Sequence, residues 1–284
     1  MLDKSKTILI MGLGLIGGSY ARALTDAGYR VTAIDCDPDA IAYALSERMI
    51  EDGATNADPA LVSSADLIVF ALYPHVFLDW IRENQHLLKP GVLLTDVTGV
   101  KGKIVEEVQS ILRPDAEFIA AHPMAGREVS GVENSTPAIF RGANYIVVPT
   151  EKNTQAAIDT CRALGEALGF ARVSELSPAL HDEIVGFVSQ LTHCIAIALM
   201  TCNQDEHLEE YTGDSFRDLT RIARINDEMW SELFLWNRDK LIEQIDSFSS
   251  ELGSIREMLI NGDRDALRRL MRRATERRAK FDKK

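Results

Sequence analysis

The chain has 284 residues, enough for two domains that each bury a hydrophobic core. Apolar residues make up 46% of it and charged residues 26%, the balance of an ordinary soluble globular protein. The net charge of −12 argues against nucleic-acid binding, which usually needs a basic patch or stripe. The first predicted strand leaves no room for a signal peptide, and no apolar run approaches the length of a membrane span. The four cysteines lack metal-ligand spacing, so we expect a cytoplasmic protein with neither membrane contact nor a metal site.

A glycine-rich turn follows the first predicted strand, residues 7–11. It reads Gly-Leu-Gly-Leu-Ile-Gly over residues 12–17, and helical spacing continues to residue 27. This strand–turn–helix order is the setting of a dinucleotide-binding fingerprint, whose glycines permit a tight turn, close approach of a pyrophosphate and close packing of the helix. The free N–H groups at the start of the helix then face the phosphates. We therefore expect cofactor contacts from Gly12, Leu13, Gly14, Leu15, Ile16 and Gly17.

The second predicted strand, residues 29–34, ends in Asp35. A carboxylate at this position accepts hydrogen bonds from the adenosine ribose hydroxyls and repels a 2′-phosphate. Asp35 therefore favours NAD over NADP as the cofactor. The alternative, a plain glycine turn in an α/β protein, is disfavoured by the strand, the helix and Asp35 together.

Strands and helices alternate as far as residue 175. After Asp35 the predicted elements are a helix 38–48, an extended piece 50–56, a strand 65–72, a helix through Trp80, a strand 92–96 and a helix 104–112. One more strand, 118–121, ends in His122, and strands 144–148 and 171–175 flank a helix 154–168. This alternation predicts an α/β fold over residues 1–175, a Rossmann-type doubly wound parallel sheet with an extension.

The strand signals stop at Ser177-Pro178. Apolar residues then recur on one face of a long helix, and about four more helices follow to the end of the chain. Residues 176–284 are therefore expected to form an all-α domain. Because its apolar segments would leave large exposed patches, we expect a homodimer formed through this helical domain.

The best candidate for chemistry is His122, at the carboxyl end of a predicted strand. Hydride transfer from an alcohol needs a group that accepts the hydroxyl proton, and a histidine titrating near neutrality suits that task. On position alone, a structural loop histidine is an equal alternative. Thr98 lies in a loop of small polar residues, 96–103, that follows another strand.

Two further groups lie in the helical part. Gln190 and His193 share a helix face at a spacing of three, although a hydrogen-bonded core histidine is the simpler interpretation of His193. Arg221 could bind a substrate carboxylate through two hydrogen bonds. Asp218 and Arg221 could instead form a surface ion pair, which the residues alone favour.

These motifs occur together in an order that resembles the bacterial prephenate dehydrogenase family of tyrosine biosynthesis, whose members are also called cyclohexadienyl dehydrogenases. The likeness spans nearly the whole chain. The matching pieces are residues 12–19 (GLGLIGGS), 96–103 (DVTGVKGK), 122–128 (HPMAGRE), 189–193 (SQLTH), 218–223 (DLTRIA) and Trp230.

The resemblance implies an oxidative decarboxylation in which prephenate gives a hydride to NAD, loses its ring carboxylate and becomes 4-hydroxyphenylpyruvate. It implies that His122 takes the proton of the ring hydroxyl and that Arg221 holds a substrate carboxylate, oriented by Asp218. His193 would complete the pocket, and Glu128 would lie beside the substrate side chain and help to gate the site. Positioning, one proton acceptor and charge stabilisation suffice, because aromatisation drives the loss of carbon dioxide.

The chain departs from this family at three places. Many relatives carry a serine where this chain has Thr98-Gly99, and Thr98 is the available substitute for assisting the catalytic histidine and contacting the cofactor. Arg127 stands where a small hydroxyl residue is frequent, and Gln190 where histidine is frequent. Both residues are therefore candidates for the side-chain end of the substrate pocket.

Three alternatives stay open at this point. Arogenate, which carries an amine in place of the keto group of prephenate, would undergo the same chemistry; Arg127 slightly favours the keto acid, because a guanidinium repels an ammonium. A 3-hydroxyacid dehydrogenase shares the domain plan but relies on a lysine, and no lysine occurs between Lys152 and Lys240. A non-catalytic NAD sensor would not need His122 and Arg221.

Overall fold

The computed structural model describes residues 2–205 and 207–281. The chain divides into two compact units, Met1–Asn237 and Arg238–Lys284. The helices that follow the strands as far as Trp236 belong to the first unit. The predicted division between residues 175 and 176 stays a prediction.

The first sheet contains six parallel strands in the order β3-β2-β1-β4-β5-β6. Its strands are β1 (Thr7–Met11), β2 (Arg30–Ile34), β3 (Asp52–Ala54), β4 (Leu67–Phe70), β5 (Leu93–Asp96) and β6 (Glu117–Phe118). The helices between them are α1 (Leu15–Asp26), α2 (Pro38–Ser46), α3 (Pro59–Ser64), α4 (Pro74–Asn84) and α5 (Gly102–Ile111). Every residue of β1 and β4 is buried, because helices cover both faces of such a sheet. The predicted Rossmann-type fold is confirmed.

The order of these strands reverses between β1 and β4, which are neighbours in the sheet. Ligands of open α/β sheets bind at such a point, beyond the carboxyl ends of the strands. The glycine turn follows β1 and the loop that begins at Val97 follows β5, so both lie at this edge.

The single strand predicted over residues 118–121 is wrong. The chain forms β6, leaves the parallel sheet after the Ile119 N–H donates to the Leu94 carbonyl, and enters a second sheet as β7 (Ala120–Met124). In that sheet β7 pairs antiparallel with β8 (Asn144–Val148), and β8 pairs parallel with β9 (Arg172–Glu175). Helix α6 (Gln155–Ala167) connects β8 to β9. His122 therefore lies inside β7, opposite Ile146, instead of beyond the end of a strand.

The helices that follow confirm the predicted helical C-terminal part. They begin with α7 (Pro178–Val185), a π-helical turn (Gly186–Gln190) and α8 (Leu191–Thr201), which are continuous. Helix α9 (Asp214–Thr220), a 3-10 turn (Arg221–Ala223) and α10 (Asp227–Trp236) complete the first unit.

The segment Pro178–Thr201 is 24 residues long and, by length and composition alone, apolar enough to cross a membrane. The prediction that no apolar run approaches that length is therefore wrong. Phe187, Val188 and Met200 are about half exposed on this segment, at 56%, 48% and 50%. Exposed apolar side chains of this kind also suit a partner helix, so the segment does not by itself indicate a membrane protein.

The second compact unit contains α11 (Arg238–Ile260) and α12 (Arg264–Arg278). Gly262, with a φ of +62°, makes the turn between them, and Asp263 caps α12 by accepting the Ala266 N–H at 2.8 Å. Arg273 on α12 donates to Glu251 on α11 at 2.9 Å. The two helices thus form a hairpin.

Candidate active site

The glycine turn has the geometry of a phosphate cradle. Gly12 has a φ of +92°, and a Cβ atom at Gly17 would lie 1.8 Å from the Gly12 carbonyl oxygen, so both positions require glycine. A Cβ atom at Gly14 would meet no atom of the described chain within 4 Å. Gly14 precedes the first turn of α1, and no side chain of the described residues caps that turn. Open space and free N–H groups at a helix start fit a dinucleotide pyrophosphate.

Asp35 is joined to this turn. Its carboxylate accepts the Leu13 N–H at 2.5 Å and the Asp37 N–H at 2.8 Å. Both contacts hold the carboxylate at the carboxyl end of β2, beside the glycine turn. This is the position from which an acidic residue accepts hydrogen bonds from a ribose.

A buried ion pair lies at the carboxyl end of β5. Asp96 and Lys101 are both fully buried, with Nζ 2.6 Å from Oδ2. The same carboxylate accepts the N–H groups of Thr98 and Ala121, each at 3.1 Å. Burial lowers the pKa of Lys101, against the attraction of Asp96. Because Ala121 precedes His122, this pair fixes the strand that carries the candidate base.

The ring of His122 contacts a second histidine. His122 Nδ1 lies 2.9 Å from His181 Nε2, and His181 Nδ1 lies 2.7 Å from an oxygen of Asp182. The Asp182 carboxylate also accepts the N–H groups of Lys101 and Gly102, at 2.8 and 2.7 Å. His181 is fully buried, whereas His122 is partly exposed. The three side chains form a continuous hydrogen-bonded row from α7 to the candidate site.

Burial sets the charge of these rings. It lowers the pKa of His122 well below the usual 6.5, and the nearby His181 and Lys101 lower it further. Burial also lowers the pKa of His181, although the hydrogen bond to Asp182 opposes the change. Both rings are therefore neutral at neutral pH, and a neutral imidazole is a proton acceptor.

The Thr98 side chain forms its hydrogen bonds within its own loop. Its hydroxyl lies within hydrogen-bond distance of the Asp96 carboxylate and 2.9 Å from the Val100 carbonyl oxygen, and the residue is buried. In residues 2–205 and 207–281 no hydrogen bond joins Thr98 to His122. The geometry therefore gives no support to the predicted catalytic part of Thr98, and His181 occupies the inner nitrogen of the His122 ring instead.

Gln190 is buried. Its Nε2 donates to the Leu233 carbonyl at 3.0 Å, and its Oε1 accepts from Asn237 Nδ2 at 2.7 Å. Asn237 also donates to the Asp182 carbonyl at 2.9 Å. Since both ends of the Gln190 amide are used within the protein, its geometry is that of a structural bridge; its predicted contact with substrate stays a prediction.

His193 lies on α8 and is partly buried. Its Nδ1 donates to the Ser189 carbonyl at 2.9 Å, and its ring lies against the Trp230 ring, with 3.7 Å between centroids. Burial lowers the pKa of His193, while the charge of Glu128 raises it and that of Arg221 lowers it further. The structure thus brings His193, Glu128 and Arg221 into one electrostatic neighbourhood.

Arg221 pairs with Glu128, which is 93 residues away in sequence. The Arg221 side chain is 62% exposed and the Glu128 side chain 39%. The prediction of an ion pair between Asp218 and Arg221 is therefore wrong: the Asp218 side chain is exposed and makes no hydrogen bond or ion pair in the part of the chain that the structure describes. Asp218 consequently has no observed part in orienting Arg221.

Arg127 has an exposed side chain at the edge of a surface cavity of about 290 Å³. The cavity is also lined by Gly126, Thr136, Ala138 and Ile139. The Thr136 N–H donates to Ser19 Oγ on α1 at 3.0 Å, so the cavity lies beside the helix that begins at the glycine turn. The predicted contact of Arg127 with substrate stays a prediction.

The loop after β4 contacts helix α10. The backbone N–H and Nδ1 of His75 lie 2.9 and 2.8 Å from the two oxygens of Glu232, and Asn226 Nδ2 donates to the Tyr73 hydroxyl at 3.1 Å. These contacts hold α10 against the carboxyl edge of the parallel sheet.

Sequence reasoning missed three residues of this site: Lys101, His181 and Asp182. Ionisable side chains are rarely fully buried unless they are paired. An adjacent histidine and aspartate in the first turns of an apolar helix therefore indicate a buried, hydrogen-bonded pair, and this signal could have identified His181 and Asp182. The contacts that join these residues to the rest of the site span 59 residues between His122 and His181 and 81 residues between Lys101 and Asp182, and the sequence does not identify them.

Comparison with known families agrees with this geometry. Residues 20–174 match the family described as prephenate dehydrogenase, nucleotide-binding domain. Residues 177–273 match the family described as prephenate dehydrogenase, dimerization domain. Together the two matches span most of the chain.

Individual relatives are similar over their length as well. The chain is 31% identical to prephenate dehydrogenase of Bacillus subtilis over 98% of this chain and 76% of the relative. It is 31% identical to prephenate dehydrogenase of Lactococcus lactis over 92% of this chain and 73% of the relative. Among solved structures, prephenate dehydrogenase of A. aeolicus in complex with hydroxyphenyl propionate and NAD+ superposes with a TM-score of 0.90, at 30% identity and 98% coverage of both chains.

Proposed function

The chain belongs to the prephenate dehydrogenase family and is an oxidoreductase, and from this premise we propose that it oxidises prephenate with NAD and releases the ring carboxylate as carbon dioxide. The observation that carries the proposal is the position of His122. This neutral, partly exposed imidazole lies in β7, which is hydrogen-bonded to the end of β5 at the edge of the sheet that carries the glycine turn. This position supports the role of His122 as the proton acceptor at the edge of the sheet that carries the glycine turn.

NAD, when bound, supplies the acceptor for the hydride that leaves the hydroxyl-bearing ring carbon. His122 accepts the hydroxyl proton as that carbon becomes a carbonyl. The bond to the ring carboxylate then breaks, its electron pair enters the ring, and 4-hydroxyphenylpyruvate forms with carbon dioxide. The proton on His122 returns to the phenolate oxygen, so that prephenate and NAD give the keto acid, carbon dioxide and NADH with no net proton.

Substrate carboxylates are assigned to Arg221. Arg221 forms an exposed ion pair with the Glu128 carboxylate. Because exposed ion pairs contribute little free energy, a substrate carboxylate can replace Glu128 at little cost. His193 and Trp230 lie in the same neighbourhood and form an imidazole and indole surface beside this arginine. A planar ring with anionic groups fits such a surface.

NAD is proposed over NADP on the charge of Asp35. Its carboxylate is held beside the glycine turn by two backbone N–H groups. A 2′-phosphate at the ribose would be repelled there, whereas ribose hydroxyls would be bound.

A homodimer is proposed on the exposed apolar side chains of Pro178–Thr201, within the residues that match a dimerization domain. A second copy would cover Phe187, Val188 and Met200. Sedimentation of the wild type as a dimer and of Val188→Glu as a monomer would support this interface; a monomeric wild type would contradict it. A cytoplasmic location stays a prediction.

The test of the activity is NADH formation by the purified protein with prephenate or arogenate, each with NAD and with NADP. We expect turnover of prephenate with NAD. Turnover of arogenate alone would keep the chemistry and change the substrate, and would remove the argument from Arg127. Turnover of neither compound would refute the proposed function.

A further inference from the structure

We propose that His181 and Asp182 are positioning residues that fix the tautomer of His122, so that its Nε2 is the unprotonated atom that receives the substrate proton. The inference rests on the proposed function for the identity of the substrate. The hydrogen bonds that set the tautomer of His122 are present in the protein without substrate.

The argument begins with Asp182. Its carboxylate accepts the N–H groups of Lys101 and Gly102, at 2.8 and 2.7 Å. These N–H groups are at the first turn of α5, and no side chain within that helix caps them. A helix start stabilises a negative charge, so Asp182 is an ionised carboxylate that can only accept hydrogen bonds.

The orientation of the next two rings follows from this. Because Asp182 only accepts, His181 Nδ1 must carry the hydrogen in their 2.7 Å contact. A neutral His181 then has a lone pair on Nε2, which accepts from His122 Nδ1 at 2.9 Å. With its hydrogen on Nδ1, neutral His122 has its lone pair on Nε2.

The row is held rigidly. His181 is fully buried, and Asn237 donates to the Asp182 carbonyl at 2.9 Å, which fixes the backbone of the pair.

The row also connects His122 to a carboxylate. When His122 takes up a proton, its Nδ1–H stays hydrogen-bonded to His181, and His181 stays hydrogen-bonded to Asp182, as an aspartate stabilises an imidazolium in hydrolase triads.

Other charges face this row and define the background. Lys101 disfavours a charge on either ring, whereas Asp96 and Asp182 favour a charge on His181. A charged His181 also disfavours a charge on His122, but the neutral His181 accepts the His122 Nδ1–H, and loss of this hydrogen bond would destabilise the imidazolium. The acidic limb of the kcat profile, which reports protonation of the base, would then move to lower pH.

The test compares two replacements of similar size in the holoenzyme. His181→Gln keeps an oxygen that can accept from His122 Nδ1, whereas His181→Leu removes the acceptor. We expect His181→Leu to lower kcat by at least about 100-fold, the lower range for loss of a general base, and His181→Gln by no more than about tenfold. KM and NAD affinity should stay near wild type in both. His86→Gln, at an exposed histidine whose Nδ1 lies 3.1 Å from the Glu83 carbonyl oxygen, serves as the control and should match wild type.

The pH profile separates positioning from a loss of packing. In His181→Leu we expect the acidic limb of the kcat profile to shift to lower pH. In His181→Gln the acidic limb should lie closer to that of the wild type. Equal kcat losses in both variants with an unmoved limb would mean that His181 is only a packing residue, and would overturn the proposal.

Nitrogen NMR of the protein without substrate tests the tautomer of His122 directly and does not need enzymatic activity. In protein labelled with ¹⁵N-histidine, the ring assigned by its loss in His122→Asn should show a protonated Nδ1 and an unprotonated Nε2. The opposite tautomer would overturn the proposal even if His181→Leu were inactive or unfolded. A wild type without turnover would refute the proposed function, while this spectrum would still decide the tautomer.

Discussion

The exposed ion pair between Arg221 and Glu128 leads to a quantitative prediction about substrate binding. Exposed pairs contribute about 0.2 to 1 kcal/mol, and these side chains are 62% and 39% exposed. A substrate carboxylate has to displace Glu128 from Arg221. Removal of the Glu128 charge should therefore strengthen substrate binding by the free energy of the ion pair. Because tenfold corresponds to about 1.4 kcal/mol, Glu128→Gln should lower KM for prephenate by about 1.4- to 5-fold.

The same exposure limits the loss expected from Arg221→Ala. A charged hydrogen bond contributes about 1.5 to 3 kcal/mol when shielded, and solvent around Arg221 reduces this to about 1 to 2 kcal/mol. KM should therefore rise by about 5- to 30-fold, with a smaller change in kcat. Initial rates over a range of prephenate concentrations at saturating NAD measure both constants.

The control for this pair is Arg224→Ala, which removes an exposed arginine three residues further along the same segment. It should leave KM within about twofold, as is usual for surface substitutions away from a site. An unchanged KM in Arg221→Ala, or an increase equal to that in Arg224→Ala, would refute the assignment of the substrate carboxylate. A raised KM in Glu128→Gln would show that Glu128 assists binding instead of competing with it.

Three further predictions follow from the same structure. His122→Asn should lower kcat by about two to four orders of magnitude, the contribution of a general base, while NAD affinity measured by fluorescence titration stays near wild type; unchanged turnover would remove His122 from the mechanism. Asp35→Ser should shift the ratio of kcat/KM values for NAD and NADP toward NADP, because the repulsion of a 2′-phosphate is lost; an unchanged ratio would mean that other groups select the cofactor. His122, His181 and His193 all have lowered pKa values, so they contribute stability above pH 6.5 that is lost as the pH falls and the unfolded chain takes up protons. The free energy of unfolding from urea titrations should therefore fall below pH 6.5 by up to about 1.4 kcal/mol per pH unit for each histidine, and His122→Gln should remove one such contribution. Identical slopes for wild type and variant would contradict the neutral state of His122.

The first half of the fold was predictable because its signals are local. A buried strand, a glycine turn and a helix start define β1 and α1 within twenty residues, and the two glycines with steric demands are read directly from spacing. The change of sheets between β6 and β7 was not predictable. Apolar residues continue through Ile119 because both sheets bury them, and hydrophobic pattern reports burial but not the partner strand.

The site was predictable by residue type more than by partner. The roles of His122 as a base and Arg221 as an anion-binding group stay predictions, and Arg221 pairs with Glu128 where Asp218 was expected. Both carboxylates are compatible with the sequence, and only the fold decides between them. The same limit explains His181, whose contact with His122 depends on how α7 packs against the second sheet.

The π-helical turn Gly186–Gln190 has a consequence for insertions and deletions. It separates His181 from His193 along one continuous helix. Each residue of an α-helix turns the chain by about 100°, so deletion of one residue here could restore regular helix and rotate one histidine relative to the other by about that angle. The two rings would then no longer meet His122 and Trp230 together. A single-residue deletion in this turn should therefore abolish activity while leaving helix content intact, and natural sequences that carry out this reaction should keep the length of the turn constant.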